Sequence, residues 1–120
     1  MDLSIIIPSF NTKTLLDRCL RSIDKSLQGS LLKYEIIVVD NASTDGTIEL
    51  LKTKYPRVIK IFNKTNVGYG KANNQGIQKA KGNYILLLNS DIQVLGQAIV
   101  SLYEFAQKYQ LPIQPVINEE

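Results

Sequence analysis

Apolar residues along the chain fall into short β-branched runs that alternate with stretches of helical spacing. Leu3-Ser4-Ile5-Ile6-Ile7-Pro8 is a strand-like run closed by proline. Leu15, Leu16, Cys19, Leu20, Ile23 and Leu27 then recur on one helical face, which predicts a helix over 12–27 that Asn11 or Thr12 can cap. Tyr34 to Asp40 is a second buried strand. A turn over Asn41–Gly46 leads into a helix beginning with Ile48, Leu50 and Leu51 and stopped by Pro56. Val58–Phe62 reads as a third strand, and a polar loop over Asn63–Tyr69 follows it. The helix over 70–80 is weakened by Asn73, Asn74 and Gly76. Asn83–Leu88 is a fourth strand. A fourth helix near 96–109 has its apolar stripe at Ala98, Ile99, Leu102, Tyr103 and Ala106. Residues 111–120 read as an extended tail or the start of a fifth strand, within one domain over 1–120.

Strands apolar on both faces, each followed by a helix, imply a parallel sheet covered on both sides with right-handed crossovers. In such a sheet the ligand lies beyond the carboxyl ends of the strands, where strand order reverses. The expected site is therefore built from Pro8–Asn11, Asp40–Asp45, Asn63–Tyr69 and Asn89–Asp91.

Composition narrows the chemistry. The 120 residues are 44% hydrophobic and 21% charged, as in ordinary globular domains. The net charge of +3 comes from scattered lysines and arginines, so no nucleic-acid stripe is expected. There is no apolar run long enough to span a membrane and no leader-like start, so the expected location is cytoplasmic, or peripheral at the inner face of the membrane. The chain has no histidine, which excludes Ser-His and Cys-His catalysis and histidine metal sites. The single cysteine, Cys19, sits on an apolar helix stripe and reads as a buried structural thiol. Any metal must be held by oxygen, which favours Mg or Mn over Zn.

Among the 11 acids, Asp40, Asp45 and Asp91 stand at strand ends. Asp45 fits a cap for the second helix. Asp40 ends an apolar run, so it is either a turn residue bonding its own backbone or a group reserved for a ligand. Asp91 is either a helix cap or an oxygen ligand for a cation. Asn66-Val67-Gly68-Tyr69-Gly70 is a weak phosphate cradle, and the plain alternative is a loop with left-handed glycines. The amides of Asn73 and Asn74 either face the site or point to solvent.

Four segments together resemble family 2 glycosyltransferases: Ile5 to Asn11, Tyr34 to Thr47, Asn66 to Gly76, and Lys81 to Asp91. The resemblance covers residues 3–91, with the motifs in family order. It implies an α/β fold of the GT-A (Rossmann-like) type, three-layer α/β/α, with a mainly parallel sheet of order 3-2-1-4, here in truncated form. It implies that Pro8, Ser9, Phe10 and Asn11 contact the nucleoside. Asp40, beside Asn41, would accept from the imide N–H of uracil or thymine. Asn66, Gly68, Lys71 and Asn74 would lie near the ribose and diphosphate. Asn89 and Ser90 would line the donor site, and Asp91 would hold Mg or Mn against the diphosphate. Asn89 departs from the commoner Asp and is similar to the rhamnosyltransferase-like branch, which uses deoxythymidine-diphosphate sugars.

The expected function is the donor-binding part of a glycosyltransferase acting in cell-wall or polysaccharide synthesis. It would pass a sugar from a UDP- or dTDP-sugar to a saccharide or lipid-linked hydroxyl with inversion. Members of the family are longer, and their catalytic base is expected beyond residue 120. The truncated sheet edge would favour self-association. The alternative is a non-catalytic nucleotide-sugar-binding or assembly module of the same fold. A receiver-like domain is excluded because Pro8-Ser9-Phe10 stands where its acid cluster would be. A Rossmann dehydrogenase is excluded because that turn has no glycines.

Overall fold

A computed structural model of the chain describes residues 1–110. The elements are β1 (Leu3–Ser9), α1 (Lys13–Leu27), β2 (Tyr34–Asp40), α2 (Thr47–Lys54), β3 (Ile59–Phe62), α3 (Tyr69–Lys79), β4 (Tyr84–Leu87) and α4 (Ala98–Lys108). They form one parallel sheet of order β3-β2-β1-β4, as expected. The fifth strand expected after residue 110 lies outside the described residues. No helix among the described residues is long and apolar enough to cross a membrane.

The period of two along β1 divides the core. Leu3, Ile5 and Ile7 face a layer made by Leu16, Cys19, Leu20 and Ile23 of α1, Leu51 of α2 and Ile99 of α4. Ile6 faces the other way and packs with Ile37, Val39 and Ala72 of α3. Each fully buried Ile or Leu contributes about 1.5–3 kcal/mol. The α3 layer is thin because three of the four buried α3 positions are small, Gly70, Ala72 and Gly76 beside Asn73. A Cβ on Gly76 would lie 2.5 Å from Ile6 Cγ2, so glycine sets the approach distance.

One expected stripe is corrected. Of the α4 residues assigned to it, only Ile99 is buried; Ala98 and Leu102 are exposed. α4 packs mainly on α1 and reaches β4 through an edge-on contact of Tyr103 with Tyr84 at 5.6 Å.

Pro8 lies within central strand β1, where proline is normally disfavoured. Its position explains why it is tolerated. The C=O of Ile6 accepts from Leu88 N–H of the β4 end at 2.9 Å, whereas that of Ser9 accepts from Asn41 N–H on the β2 side. Pro8, two residues after Ile6, therefore faces the β4 side, where pairing has already ended at Leu87. The missing N–H thus falls where the β1–β4 ladder has ended, and β1 and β4 separate there into a cleft.

Cys19 is fully buried, and its thiol is pushed up to about 11 by desolvation and by the nearby Asp91 charge, against the opposing pull of Arg18. In the folded protein at pH 8 it is expected to react with a disulfide reagent at least about a hundredfold more slowly than in denaturant. Equal rates would place the thiol at the surface.

Candidate functional site

The cleft beyond the carboxyl ends of β1 and β4 has a volume of about 700 Å³. Pro8, Ser9 and Phe10 line one side and Asn89, Ser90 and Asp91 another. Asn41, Asn66 and Gly68 enter from the β2 and β3 loops. These expected site residues thus converge at the strand-order reversal. A larger hollow of about 800 Å³, lined among others by Tyr34, Tyr55 and Arg57, lies at the amino ends of β2 and β3, away from all of them.

Each loop is held by side chains of its neighbours. Asn11 is left-handed (φ 51°), a conformation Asn tolerates. Its N–H donates to Ser43 Oγ at 2.9 Å, and its Oδ1 accepts from Thr44 N–H at 2.7 Å, joining the β1 turn to the β2 turn. Asn41 Oδ1 accepts from Asn63 Nδ2 at 3.0 Å, and its Nδ2 donates to the Gly68 carbonyl at 3.4 Å. The Asn89–Asp91 loop is fastened to α1. Thr12 donates to Ser90 Oγ at 2.8 Å, Cys19 reaches the Asn89 carbonyl at 4.0 Å, and Arg18 reaches the Asp91 carbonyl at 3.4 Å.

The three strand-end acids differ in what already occupies them. Asp45 accepts from Thr47 N–H (3.1 Å) and hydroxyl (2.5 Å), and also from Lys13 N–H at 2.9 Å. It therefore serves the first turns of both α2 and α1, more than the single cap expected. Desolvation raises its carboxyl, but the hydrogen bonds from Thr47 and Lys13 outweigh this and leave it below the usual value. Asp40 is fully buried, and Ser43 donates to it through N–H (3.0 Å) and Oγ (2.6 Å). The Asp91 carboxylate is exposed, and among the described residues no hydrogen bond or ion pair engages it.

Four expected site residues do not reach the cleft. Asn11 serves the turn, and Lys71 is exposed on α3. Asn74 is half-buried on α3 without lining the cleft, and its neighbour Asn73 is fully buried with neither amide atom partnered among the described residues. Asp40 sits behind the cleft, not in it. Its carboxylate is turned to Ser43, and a carboxylate holding two hydrogen bonds keeps further lone pairs for the imide contact that the resemblance assigns to it. Asp40→Asn is expected to cost about 2 kcal/mol of stability by turning an amide against a donor of Ser43, measured by urea denaturation. An unchanged urea midpoint would show that the carboxylate is not held as described.

Sequence reasoning missed three cleft residues. Thr12 and Leu15 were assigned only to α1, and Tyr69 was passed over inside the glycine-rich loop. Tyr69 carries the one available signal, an aromatic residue between two glycines at a strand-end loop.

For a divalent cation the donors fit in kind. Among the described residues no group of three or more acids, cysteines or histidines converges. Among the described residues lining the cleft Asp91 alone carries a carboxylate, and one carboxylate plus substrate phosphates is a usual Mg²⁺ arrangement.

Residues 4–117 match the family described as Glycosyl transferase family 2, and the chain belongs to that family. It is 37% identical over 119 residues to a poly(ribitol-phosphate) beta-glucosyltransferase of Bacillus spizizenii, covering 94% of this chain and 18% of that protein. It is 36% identical over 108 residues to a dolichol-phosphate mannosyltransferase of Pyrococcus furiosus, covering 87% of this chain and 30% of that protein. In three dimensions it superposes on S. aureus TarS, solved in complex with UDP, with a TM-score of 0.79 at 25% identity, covering 92% of this chain and 33% of the TarS chain. The chain thus spans about a fifth to a third of the length of these relatives. The expected fold and family stand.

Proposed function

We propose that this chain is the donor-binding part of an inverting glycosyltransferase that takes a UDP- or dTDP-sugar in the β1–β4 cleft. The observation that carries this reading is the single open carboxylate, Asp91, on the cleft wall at the point of strand-order reversal. TarS, a structural relative of 25% identity, was solved with UDP, which supports a uridine nucleotide.

In this reading Phe10, 47% exposed at the cleft mouth, stacks on the base. Ser9, Ser90 and Asn89 meet hydroxyl and phosphate oxygens. Asp91 would hold Mg or Mn, which supplies positive charge against the departing nucleoside diphosphate. The acceptor hydroxyl, saccharide or lipid-linked, and the base that deprotonates it come from outside the described residues. Asp40 and Asp45 are already engaged and Asp91 is reserved, so no strand-end carboxylate remains for that work.

The test is titration of the protein with UDP and Mn²⁺, followed by calorimetry and by amide shifts. Saturable binding with shifts centred on Phe10, Asn89 and Asp91 is expected. Binding absent at millimolar UDP, or shifts centred instead on Tyr34, Tyr55 and Arg57, would overturn the reading.

A further inference from the structure

Position 89 has its backbone fixed from three directions. Leu88 N–H is paired to Ile6, the Asn89 carbonyl accepts from Ile92 N–H at 3.2 Å, and Ser90 is tied to Thr12. The side-chain amide is then the one part of this residue whose orientation remains to be set. Tyr69, at the first position of α3 on the facing wall, sets it. Its hydroxyl donates to Asn89 Oδ1 at 2.7 Å across the cleft. The amide is a fork of fixed chemistry, with one end accepting and the other donating. With Tyr69 held at Oδ1, Nδ2 is the end turned away from Tyr69, and among the described residues no hydrogen bond engages it.

We propose that Tyr69 is a positioning residue that turns the Asn89 amide so that position 89 presents its N–H end to the nucleotide as a hydrogen-bond donor. The inference rests on the donor-binding reading above. It separates the roles of two neighbouring residues: Asp91 meets the cation, while Asn89 meets an acceptor oxygen of the ribose or the diphosphate. Aspartate at position 89 would behave oppositely. One carboxylate oxygen would still accept from Tyr69, but the other would present negative charge where the amide presents N–H.

The test is a double-mutant cycle on UDP affinity measured without metal, using Tyr69→Phe, Asn89→Ala and the pair. Phe keeps the ring and removes only the hydroxyl. Tyr69→Phe is expected to weaken UDP about five- to tenfold in the unmutated background, the scale of one well-placed hydrogen bond. It is expected to have no effect in the Asn89→Ala background. A purely structural role for Tyr69, or a direct contact of its hydroxyl with the nucleotide, would give the same loss in both backgrounds and would overturn the inference. Repeating the cycle with uridine separates the sources of the acceptor. Coupling retained with uridine identifies the ribose, and coupling seen only with UDP identifies the diphosphate.

Asn89→Asp is the second arm and keeps the Tyr69 bond. It is expected to weaken metal-free UDP binding and to tighten Mn²⁺ binding, measured with the metal alone. An unchanged response in both would also overturn the inference. Failure of the unmutated protein to bind either UDP or uridine is a separate result, and it would remove the donor-binding reading together with the inference.

Discussion

Gly82→Ala is expected to leave the protein unfolded, or less stable by about 3 kcal/mol or more. An added Cβ would lie 2.5 Å from Ser4 N and 2.6 Å from the Leu3 carbonyl carbon, both backbone atoms of β1. β1 is paired on both sides, to β2 over Leu3–Ser9 and to β4 over Leu3–Ile6, so it cannot move away without breaking one ladder. The same corner holds a polar network. Gly82 N–H donates to Ser4 Oγ, which in turn donates to Glu35, and Glu35 also accepts from Lys81 N–H. Gly76→Ala is the comparison. Its Cβ would meet side-chain atoms of Ile6 and no backbone, so a smaller loss is expected despite the same 2.5 Å approach. Urea denaturation of both variants checks the order, and a Gly82→Ala protein as stable as the parent would show that Lys81-Gly82 does not press on β1.

Asp91→Ala is expected to abolish any strengthening of UDP binding by Mn²⁺ while leaving the urea midpoint unchanged within about 0.5 kcal/mol. The two readouts separate because the Asp91 carboxylate makes no hydrogen bond or ion pair among the described residues, so removing it disturbs no packing. In the unmutated protein the affinity ratio with and without Mn²⁺ is expected to be about tenfold or greater, since carboxylate and diphosphate share one cation. Calorimetry giving the same ratio before and after the substitution would remove Asp91 from the metal site.

Much of the fold was legible because period and burial agree. β1 and β2 are apolar on both faces and proved to be the central strands, and the α1 stripe was read correctly at Leu16, Cys19, Leu20, Ile23 and Leu27, whereas Leu15, also assigned to it, is exposed. The α4 stripe was misread because periodicity reports which residues could be covered, and among the described residues only Ile99 of that stripe is buried. The site was legible at the level of loops, since topology alone directs strand ends toward the cleft. It was less legible at the level of side chains. Asp40 carries the composition of a ligand-binding acid, but the left-handed Ala42 (φ 64°) folds Ser43 back onto it. Nothing in the run Asp40-Asn41-Ala42-Ser43 announces that closure. Tyr69 was missed for a related reason: its partner, Asn89, is 20 residues away and is joined to it only by the fold.

The hydroxyls at the cleft edge have a polarity of their own. Ser9 and Thr12 lie 3.0 Å apart, and Thr12 gives its hydrogen to Ser90. A hydroxyl has one hydrogen, so Ser9 must be the donor to Thr12, and the chain runs Ser9 to Thr12 to Ser90 in a single direction. Its terminal hydrogen belongs to Ser90, on the cleft wall, and such chains polarise each member in turn. The β1 turn, whose residue Ser9 is itself buried, thereby strengthens Ser90 as a hydrogen-bond donor on the β4 loop.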